Sequence, residues 1–226
     1  MANPKYEAVA FAKGWPSVTT ITGMKDKPFL QFWRGKVGNE EAARITKEAQ
    51  SVGFEFESYV DNWFQDDDAK QGGKHEQVIS CSEEATKYYY QAIKNWHTFA
   101  EEFKPTPVKK QEIVYSHTHR YIGTYDRLFK VGDALILGDW KATNQLSDEY
   151  YLQLEAYYRA ALEMDPVFYG DVKELWLCQF PKKEPIKLKT HIKKFKPNEE
   201  RFKRGFLTLL DHWWWDKEKG GYNDGE

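Results

Sequence analysis

This 226-residue chain contains little cysteine and no long apolar run. Its two cysteines, Cys81 and Cys178, are too few for a disulfide framework or a four-cysteine iron–sulfur cluster, and they indicate thiols kept reduced. No apolar stretch approaches the roughly 20 residues of a membrane span, and residues 1–13 lack the apolar centre of a secretory signal. The mean hydropathy of −0.78 is typical of a soluble protein. From these features together we expect a cytoplasmic protein with no iron–sulfur cluster and no membrane partner.

The sequence also lacks an excess of basic residues, since its formal net charge is −2. The charge is nevertheless uneven along the chain. Residues 181–205 contain ten basic residues against three acidic ones, whereas residues 40–68 contain nine acidic residues against two basic ones. A basic segment beside an acidic centre is typical of a surface that follows a phosphate backbone. We therefore predict nucleic-acid contacts at Lys193, Lys194 and Lys196, although lysines on a β-edge also serve against aggregation.

The most informative segment is a predicted β-hairpin. Tyr121–Phe129 is rich in β-forming residues, Gly132-Asp133 is a two-residue turn signal, and Ala134–Lys141 resumes the strand. Counting back from this turn places Asp126 directly opposite Asp139. Because like charges that face each other in a sheet repel, the pair favours a bound cation. Mg²⁺ prefers such hard oxygen ligands, so the hairpin predicts a metal site.

Lys141 adds to this arrangement because it lies two residues beyond Asp139 and therefore on the same face of the strand. A lysine in this position can steady an attacking water or the charge that develops on a phosphate. The alternative is a hairpin with two solvated acids on its outer face. An Asp-x-Lys triplet alone would favour that alternative, since short patterns of this kind are common by chance.

A helix is predicted after the hairpin, with Ser147 or Asp148 as its cap and an end near Glu163. Gln153 and Tyr157 are four residues apart and therefore share one face of this helix. The simpler interpretation is an amphipathic helix with a solvated glutamine and a packed tyrosine.

These three motifs together resemble the RecB-like branch of the PD-(D/E)XK nuclease superfamily. The motifs are Gly123-x-x-Asp126, Asp139-x-Lys141 and Gln153-x-x-x-Tyr157. The N-terminal segment is similar to the opening of phage-type and mitochondrial genome-maintenance exonucleases of this branch. The matching residues there are Pro16 to Thr20, Lys27, Pro28 and Trp33. Glu112 also matches an acid that the branch carries just ahead of the strand with the Gly-x-x-Asp motif. The resemblance covers roughly residues 15–180.

The resemblance implies an α/β (α+β) fold with a restriction-endonuclease-like core, in which helices flank a central mixed β-sheet and extra helices lie at both termini. We expect a single domain over residues 1–226. It would comprise a helical part to about residue 105, a catalytic sheet core at about 106–195 and a C-terminal helix at about 198–218.

Periodicity and turn residues predict the remaining elements. We expect a loop or short strand near Val18, helices at about 28–64 and 82–103, and strands near 110–115, 172–180 and 186–192.

The first motif of the branch departs from its usual form here. It normally runs from a glycine to a metal-binding histidine four residues later, but Gly53 is followed by Glu57 at that position. Other PD-(D/E)XK branches carry a glutamate in this motif. Glu57 also borders the apolar helix stripe that contains Phe56 and Val60. We predict a metal ligand, and the alternative is a partly solvated helix acid.

The resemblance also implies roles for the other residues. Asp126 and Asp139 would hold one or two Mg²⁺ or Mn²⁺ ions together with the Trp140 backbone carbonyl, and Lys141 would orient the water. Gln153 and Tyr157 would position the lysine or contact the scissile strand. Ser17 and Thr19, in the matching N-terminal segment, are predicted nucleic-acid contacts.

We therefore expect a metal-dependent deoxyribonuclease. Exonuclease action on single- or double-stranded DNA follows from the resemblance, as does a role in recombination, repair or processing in a bacterial or phage-infected cytoplasm. A homo-oligomer or a recombination partner protein remains open. One alternative is a non-catalytic nucleic-acid-binding protein with a degenerate nuclease site. Another is a carbohydrate-active protein, since paired acids amid nine tryptophans also suit sugar cleavage; that function needs no Lys141 and predicts activity in EDTA.

Overall fold

The computed structural model describes residues 14–25, 28–65 and 82–219. Cys81 lies outside these residues, and Cys178 is a buried free thiol. In chain order the elements are α1 (Val18–Gly23), α2 (Pro28–Val37), α3 (Asn39–Gln65), α4 (Glu83–Phe103), β1 (Thr106–Ser116), β2 (Tyr121–Val131), β3 (Ala134–Lys141), α5 (Asp148–Met164), α6 (Pro166–Tyr169), β4 (Val172–Gln179), α7 (Leu188–His191), β5 (Ile192–Phe195), a π-helix (Arg201–Leu207) and α8 (Thr208–Lys219).

The strands form one five-stranded mixed sheet in the order β1-β2-β3-β4-β5. The first three strands are antiparallel neighbours, β3 and β4 are parallel, and β5 is antiparallel to β4. A parallel pair needs a long crossover connection, and α5 lies within the segment that makes it. The predicted mixed sheet flanked by helices is confirmed.

Each face of the sheet is covered by its own apolar core. One core joins the sheet to α1, α5, the π-helix and α8, and includes Tyr121 and Tyr125. The other joins it to α3 and α4, and includes Trp96 and Trp140. Strand β3 contributes to both cores and is buried from Leu135 to Trp140. This burial on both faces explains the nearly continuous apolar run at the start of β3.

The helix predicted from about residue 28 to residue 64 is divided into α2 and α3 at Gly38. Gly38 has a φ of 87°, in the left-handed region where residues with a Cβ are strained. Its amide donates to the carbonyl of Arg34, which closes α2. The apolar periodicity continues across the break, so periodicity alone does not locate it.

The segment near Val18 is a helix, so the predicted loop or short strand is wrong. Ser17 caps α1 by accepting a hydrogen bond from the Thr20 amide at 3.0 Å. Val18 and Ile21 are fully buried against the sheet. Capping and burial therefore override the strand preference of β-branched residues. Among the described residues, the segment's strand pairing is a single bridge between Ser17 and Ile122.

The strand predicted at 186–192 is also displaced, because the structure has α7 there and starts β5 only at Ile192. The carbonyl of Lys187 accepts hydrogen bonds from the amides of Thr190 and His191, at 2.9 Å each. His191 Nδ1 lies 3.0 Å from the Lys187 amide, which donates to it. These local bonds turn the chain and shorten the strand.

Glu155, on α5, fixes the start of the C-terminal segment. This carboxylate is fully buried and accepts hydrogen bonds from the Asn198 amide, from Arg159 and from Arg201, all at 3.0 Å. Farther along, a Cβ at Gly205 would lie 2.5 Å from a Leu152 side-chain carbon. The π-helix therefore packs closely against α5. Within the described ranges, no helix combines the length and apolar character that crossing a bilayer requires.

Candidate active site

Strand β2 is irregular at Asp126. On its β1 side the ladder pairs Tyr125 and Arg127 but omits Asp126, and Gln111, between their partners in β1, has a left-handed φ of 47°. Strict alternation would place Tyr125 and Arg127 on one face. Instead Tyr125 packs in the core on the α5 face of the sheet, while Arg127 forms an ion pair with Asp61 of α3, which covers the other face. At this irregularity the Asp126 carboxylate contacts the Trp140 amide and Lys141, which are the last two residues of β3.

The predicted register of the hairpin is confirmed from Val131–Ala134 at the turn to Arg127–Gly138. The ladder ends there, one step before the expected pairing of the two acids. Beyond this point the Trp140 amide donates a hydrogen bond to Asp126 Oδ2 at 3.2 Å. The two acids therefore converge through their side chains without being paired in the ladder.

Lys141 joins the two carboxylates. Its Nζ lies 2.7 Å from Asp139 Oδ1 and 3.6 Å from Asp126 Oδ2. These contacts place Lys141 on the same face of β3 as Asp139, as alternation predicts. Tyr150 of α5 lies beside this group, with its ring centroid 5.4 Å from the lysine Nζ.

Asp139 is almost completely buried, with 1% of its surface exposed. Burial raises the pKa of this carboxyl well above its ordinary value, the Asp126 carboxylate raises it further, and Lys141 opposes both effects. Its second oxygen, Oδ2, is buried and has no hydrogen-bond partner among the described residues. An acceptor in this state is costly unless something else binds it.

Burial and neighbouring charges also set the pKa of Lys141, but here the charges outweigh burial. Burial alone would lower this pKa, but the charges of Asp139 and Asp126 and the hydrogen bond to Asp139 raise it above its ordinary value. The side chain is therefore an ammonium group at neutral pH and can only donate hydrogen bonds.

Glu57 approaches the pair from α3. Burial and then the charge of Asp126 raise the pKa of Glu57 to about 7, against the lowering effects of Lys141 and Arg127. In the described part of the chain, no three His, Cys, Asp or Glu side chains are close enough to hold a metal ion together. Glu57 is thus a neighbour of the carboxylate pair, and its role as a metal ligand stays a prediction.

The residues at this point fit a divalent cation. Asp126 and Asp139 supply two carboxylates, and one buried oxygen of Asp139 receives no hydrogen bond from the described residues. Mg²⁺ is commonly bound by one or two carboxylates and completes its shell with water and substrate phosphate oxygens. The Trp140 side chain is not part of this site, because it packs in the aromatic core beside Trp96.

Tyr157 lies under the site and explains the glycine of the Gly-x-x-Asp motif. A Cβ at Gly123 would come within 2.5 Å of the Tyr157 ring and 2.9 Å of a Val18 methyl carbon. Burial raises the pKa of the Tyr157 hydroxyl, and the carboxylates of Asp139 and Asp126 raise it further. The tyrosine is therefore a neutral group close to both acids.

Gln153 is buried and donates from Nε2 to Thr22 Oγ1 of α1 at 2.9 Å. The solvated glutamine considered from the sequence is thus wrong. Ser17 and Thr19 use their hydroxyl groups locally, with their oxygens 3.0 Å apart at the cap of α1. Their contact with nucleic acid stays a prediction.

Lys193 and Lys194 lie on β5, two strands away from Asp139 in the sheet order. Together with Tyr151 they line a separate cavity of about 580 Å³. The Lys194 ammonium lies 4.0 Å from the ring centroid of Trp176. Lys196 is exposed just beyond the strand. The structure does not gather these lysines at the carboxylate pair.

A larger cleft, of about 810 Å³, opens beside Glu57 and Lys141. Other polar and aromatic residues that line it include Trp33, Arg34, Asn144, Tyr150, Lys182 and Lys183. The sequence shows both lysines in the basic segment 181–205, but its pattern does not locate them at this cleft. Their adjacency to the end of β4 was the available signal, because β4 is the parallel neighbour of β3.

A mixed sheet that carries two carboxylates and a lysine at the end of a hairpin defines a restriction-endonuclease-like nuclease core. A sequence profile of the PD-(D/E)XK nuclease superfamily matches residues 31–217, and the chain therefore belongs to this superfamily. The family acts on nucleic acid by hydrolysing phosphodiester bonds and generally uses divalent metal ions such as Mg²⁺. The predicted superfamily is confirmed, whereas its RecB-like branch stays a prediction.

The fold is similar to that of a solved structure. It is a protein from Eubacterium rectale named as a candidate exonuclease, with a TM-score of 0.51 and 13% sequence identity over 100% of this chain and 88% of that chain. At this identity the similarity concerns the fold alone. No curated protein matches the chain.

Proposed function

We propose that this protein is a metal-dependent deoxyribonuclease of the RecB-like branch that degrades DNA as an exonuclease. The observation that supports it most is the contact of Lys141 Nζ with both carboxylates, at 2.7 Å to Asp139 and 3.6 Å to Asp126. The similarity to phage-type exonucleases supports a setting in recombination, repair or processing of phage or bacterial DNA.

In this proposal Asp126 and Asp139 would hold one or two Mg²⁺ or Mn²⁺ ions, and the Trp140 carbonyl and Glu57 would be further ligands. A divalent ion bound there would lower the pKa of a water molecule and neutralise charge on the scissile phosphate. Asp139 is almost completely buried, so the surrounding packing excludes bulk water from its side of the site.

Lys141 orients the attacking water and donates to a phosphate oxygen. Its ammonium group, which contacts both carboxylates, acts here as a hydrogen-bond donor. Tyr157 is neutral, close enough to the acids for their charges to raise its pKa, and packs against Gly123 of β2. Gln153 links this region to α1 through Thr22 and so positions the N-terminal helix beside the site.

The test is cleavage of end-labelled single-stranded and double-stranded DNA in Mg²⁺, in Mn²⁺ and in EDTA, with the products sized on a gel. We expect metal-dependent release of short products that stops in EDTA. Asp139→Asn and Lys141→Gln should each reduce the rate by at least about 100-fold, because the first removes a proposed metal ligand and the second removes the proposed donor to the phosphate.

Matched controls lie at the other end of the same hairpin. Asp133→Asn and Lys130→Gln make the same chemical changes at exposed positions near the turn, and both should cleave like the wild type. Full activity of folded Asp139→Asn or Lys141→Gln would contradict the proposal. Metal-independent DNA binding without any cleavage would instead support the non-catalytic binding protein.

A further inference from the structure

The cleft beside the catalytic lysine continues into a second one. The first, of about 810 Å³, is lined by Glu57 and Lys141 at one end and by Trp33, Lys182 and Lys183 at the other. The second, of about 370 Å³, shares the same tryptophan and both lysines and extends to Tyr88 of α4. The two clefts therefore form one groove that leads away from the carboxylate pair.

The groove carries two adjacent ammonium groups beside Tyr88, whose ring centroid lies 5.9 Å from Lys182 Nζ and 5.2 Å from Lys183 Nζ. Lys182 forms no ion pair with any described residue, and burial together with its neighbour Lys183 lowers its pKa. Arg34 lines the same groove from α2. Arg44, which lines the far part, is instead held by Glu41 and Glu48. Two adjacent ammonium groups in a groove favour an anionic ligand between them.

The loop that carries these lysines is fixed in place. Buried Asn95 of α4 donates to the carbonyls of Pro181 and Glu184, at 2.7 and 2.9 Å, and accepts from the Ile186 amide at 2.8 Å. From the other side, Asn144 Oδ1 accepts a hydrogen bond from the Lys182 amide at 2.8 Å. The lysines are thus presented by a preorganised loop, which reduces the entropy lost on binding.

Trp33 gives the groove an aromatic wall at the position where both clefts meet. An aromatic ring reaches the face of a base only when that base is unpaired, since a duplex hides its base faces by stacking. The β5 lysines lie two strands away from Asp139. The Lys194 ammonium is 4.0 and 4.4 Å from the ring centroids of Trp176 and Phe103, closer than Lys182 and Lys183 are to the ring of Tyr88.

We propose that this groove binds single-stranded DNA next to the scissile phosphate. A base stacks on Trp33, and the backbone phosphates contact Lys182, Lys183 and Arg34. The inference rests on the proposed function, since it names the strand state of the DNA that the same site cleaves. These contacts are separate from the nucleic-acid contacts predicted from the sequence at Lys193, Lys194 and Lys196.

The test measures binding of a fluorescent oligothymidylate and of a blunt duplex by anisotropy in EDTA, so that cleavage does not occur. Trp33→Ala should weaken oligothymidylate binding by about fivefold or more, since one stacked base contributes roughly 1–3 kcal/mol. Lys182→Gln/Lys183→Gln should reduce the slope of log K against log salt by about 1.4, because each single-strand phosphate contact contributes about 0.7.

Each variant has a matched control elsewhere on the molecule. Trp215→Ala removes a half-exposed tryptophan from α8, and Lys130→Gln/Lys173→Gln removes two exposed lysines near the opposite end of the sheet. Both controls should bind oligothymidylate like the wild type. Circular dichroism and melting temperature establish that every variant is folded.

The outcomes separate this proposal from the proposed function. If the wild type cleaves DNA but folded groove variants bind and cleave single strands normally, the groove proposal is wrong and the nuclease function stands. If the variants lose duplex and single-strand binding equally, the groove is a duplex site and the proposal is also wrong. If no cleavage occurs but the groove variants selectively lose single-strand binding, the groove is supported and the nuclease function is not.

Discussion

The ring of Tyr157 occupies the space that a side chain at Gly123 would need, since an added Cβ would lie 2.5 Å from the ring carbon Cε1. The glycine of the Gly-x-x-Asp motif is therefore required by packing between β2 and α5. This contact lies three residues before Asp126 and holds the strand against the helix at the point where the acids converge.

Gly123→Ala should destabilise the protein by about 1–3 kcal/mol, because the new methyl group overpacks a closed core. Urea unfolding followed by circular dichroism measures the change. Tyr157→Leu in the same chain should recover part of that loss, so the double mutant should cost less than the sum of the single mutants. Strict additivity would show that the two residues do not compete for this space.

Gln153 and Thr22 provide a second coupled pair, joined by a buried hydrogen bond of 2.9 Å. Gln153→Leu and Thr22→Val should each lower the free energy of unfolding by about 1–3 kcal/mol, since each leaves a buried polar partner unsatisfied. The double mutant should lose clearly less than the two changes added together. A zero coupling energy in this cycle would mean that the bond does not hold α1 to α5.

Glu57 should make stability depend on pH. Its pKa in the folded protein is raised to about 7 from an ordinary 4.5, so the folded state binds this proton more tightly than the unfolded state does. The stabilisation is complete below the ordinary pKa and is lost as pH rises through 7. In EDTA, Glu57→Gln should therefore nearly match the wild type near pH 4.5 and exceed it by about 3 kcal/mol at pH 8.

Urea unfolding at both pH values measures this difference. Glu101→Gln, which changes an exposed acid on α4, should show no pH-dependent gain. Equal stability of Glu57→Gln and the wild type at pH 8 would indicate that Glu57 is well solvated.

Divalent metal should stabilise the wild type measurably. A ligand present at 100 times its dissociation constant stabilises the folded state by about 2.7 kcal/mol, which corresponds to a melting temperature higher by several degrees for a chain of this size. We expect Mg²⁺ and Mn²⁺ to produce this rise and EDTA to reverse it. Asp139→Asn should abolish the shift, whereas Asp133→Asn should keep it. A shift that persists in Asp139→Asn would place the metal elsewhere.

The sequence predicted the hairpin register and the cluster of Asp126, Asp139 and Lys141 because turn residues and strand alternation are local properties. It did not predict that Asp126 leaves the ladder, since this depends on the left-handed backbone of Gln111 in another strand. Nor did it locate Lys182 and Lys183 at the cleft, because they reach it only through the parallel pairing of β4 with β3.

The errors in secondary structure have similar causes. The β-branched residues near Val18 favoured a strand locally, but the cap at Ser17 and burial against β2 produced a helix. The apolar stripe of α3 predicted the position of Glu57 at the edge of a buried face, although it carried no information about its distance to the acids. Tertiary contacts decided these cases.

The parallel pairing of β3 with β4 has a consequence for the order in which the protein can form during synthesis. Asp126, Asp139, Lys141 and Tyr157 are all made before β4, yet β3 is then an unpaired sheet edge with apolar residues from Leu135 to Leu137. Exposed apolar edges associate with other strands. A nascent chain that stops after α5 would thus carry every proposed catalytic side chain and still tend to aggregate, until residues 172–179 emerge and close that edge.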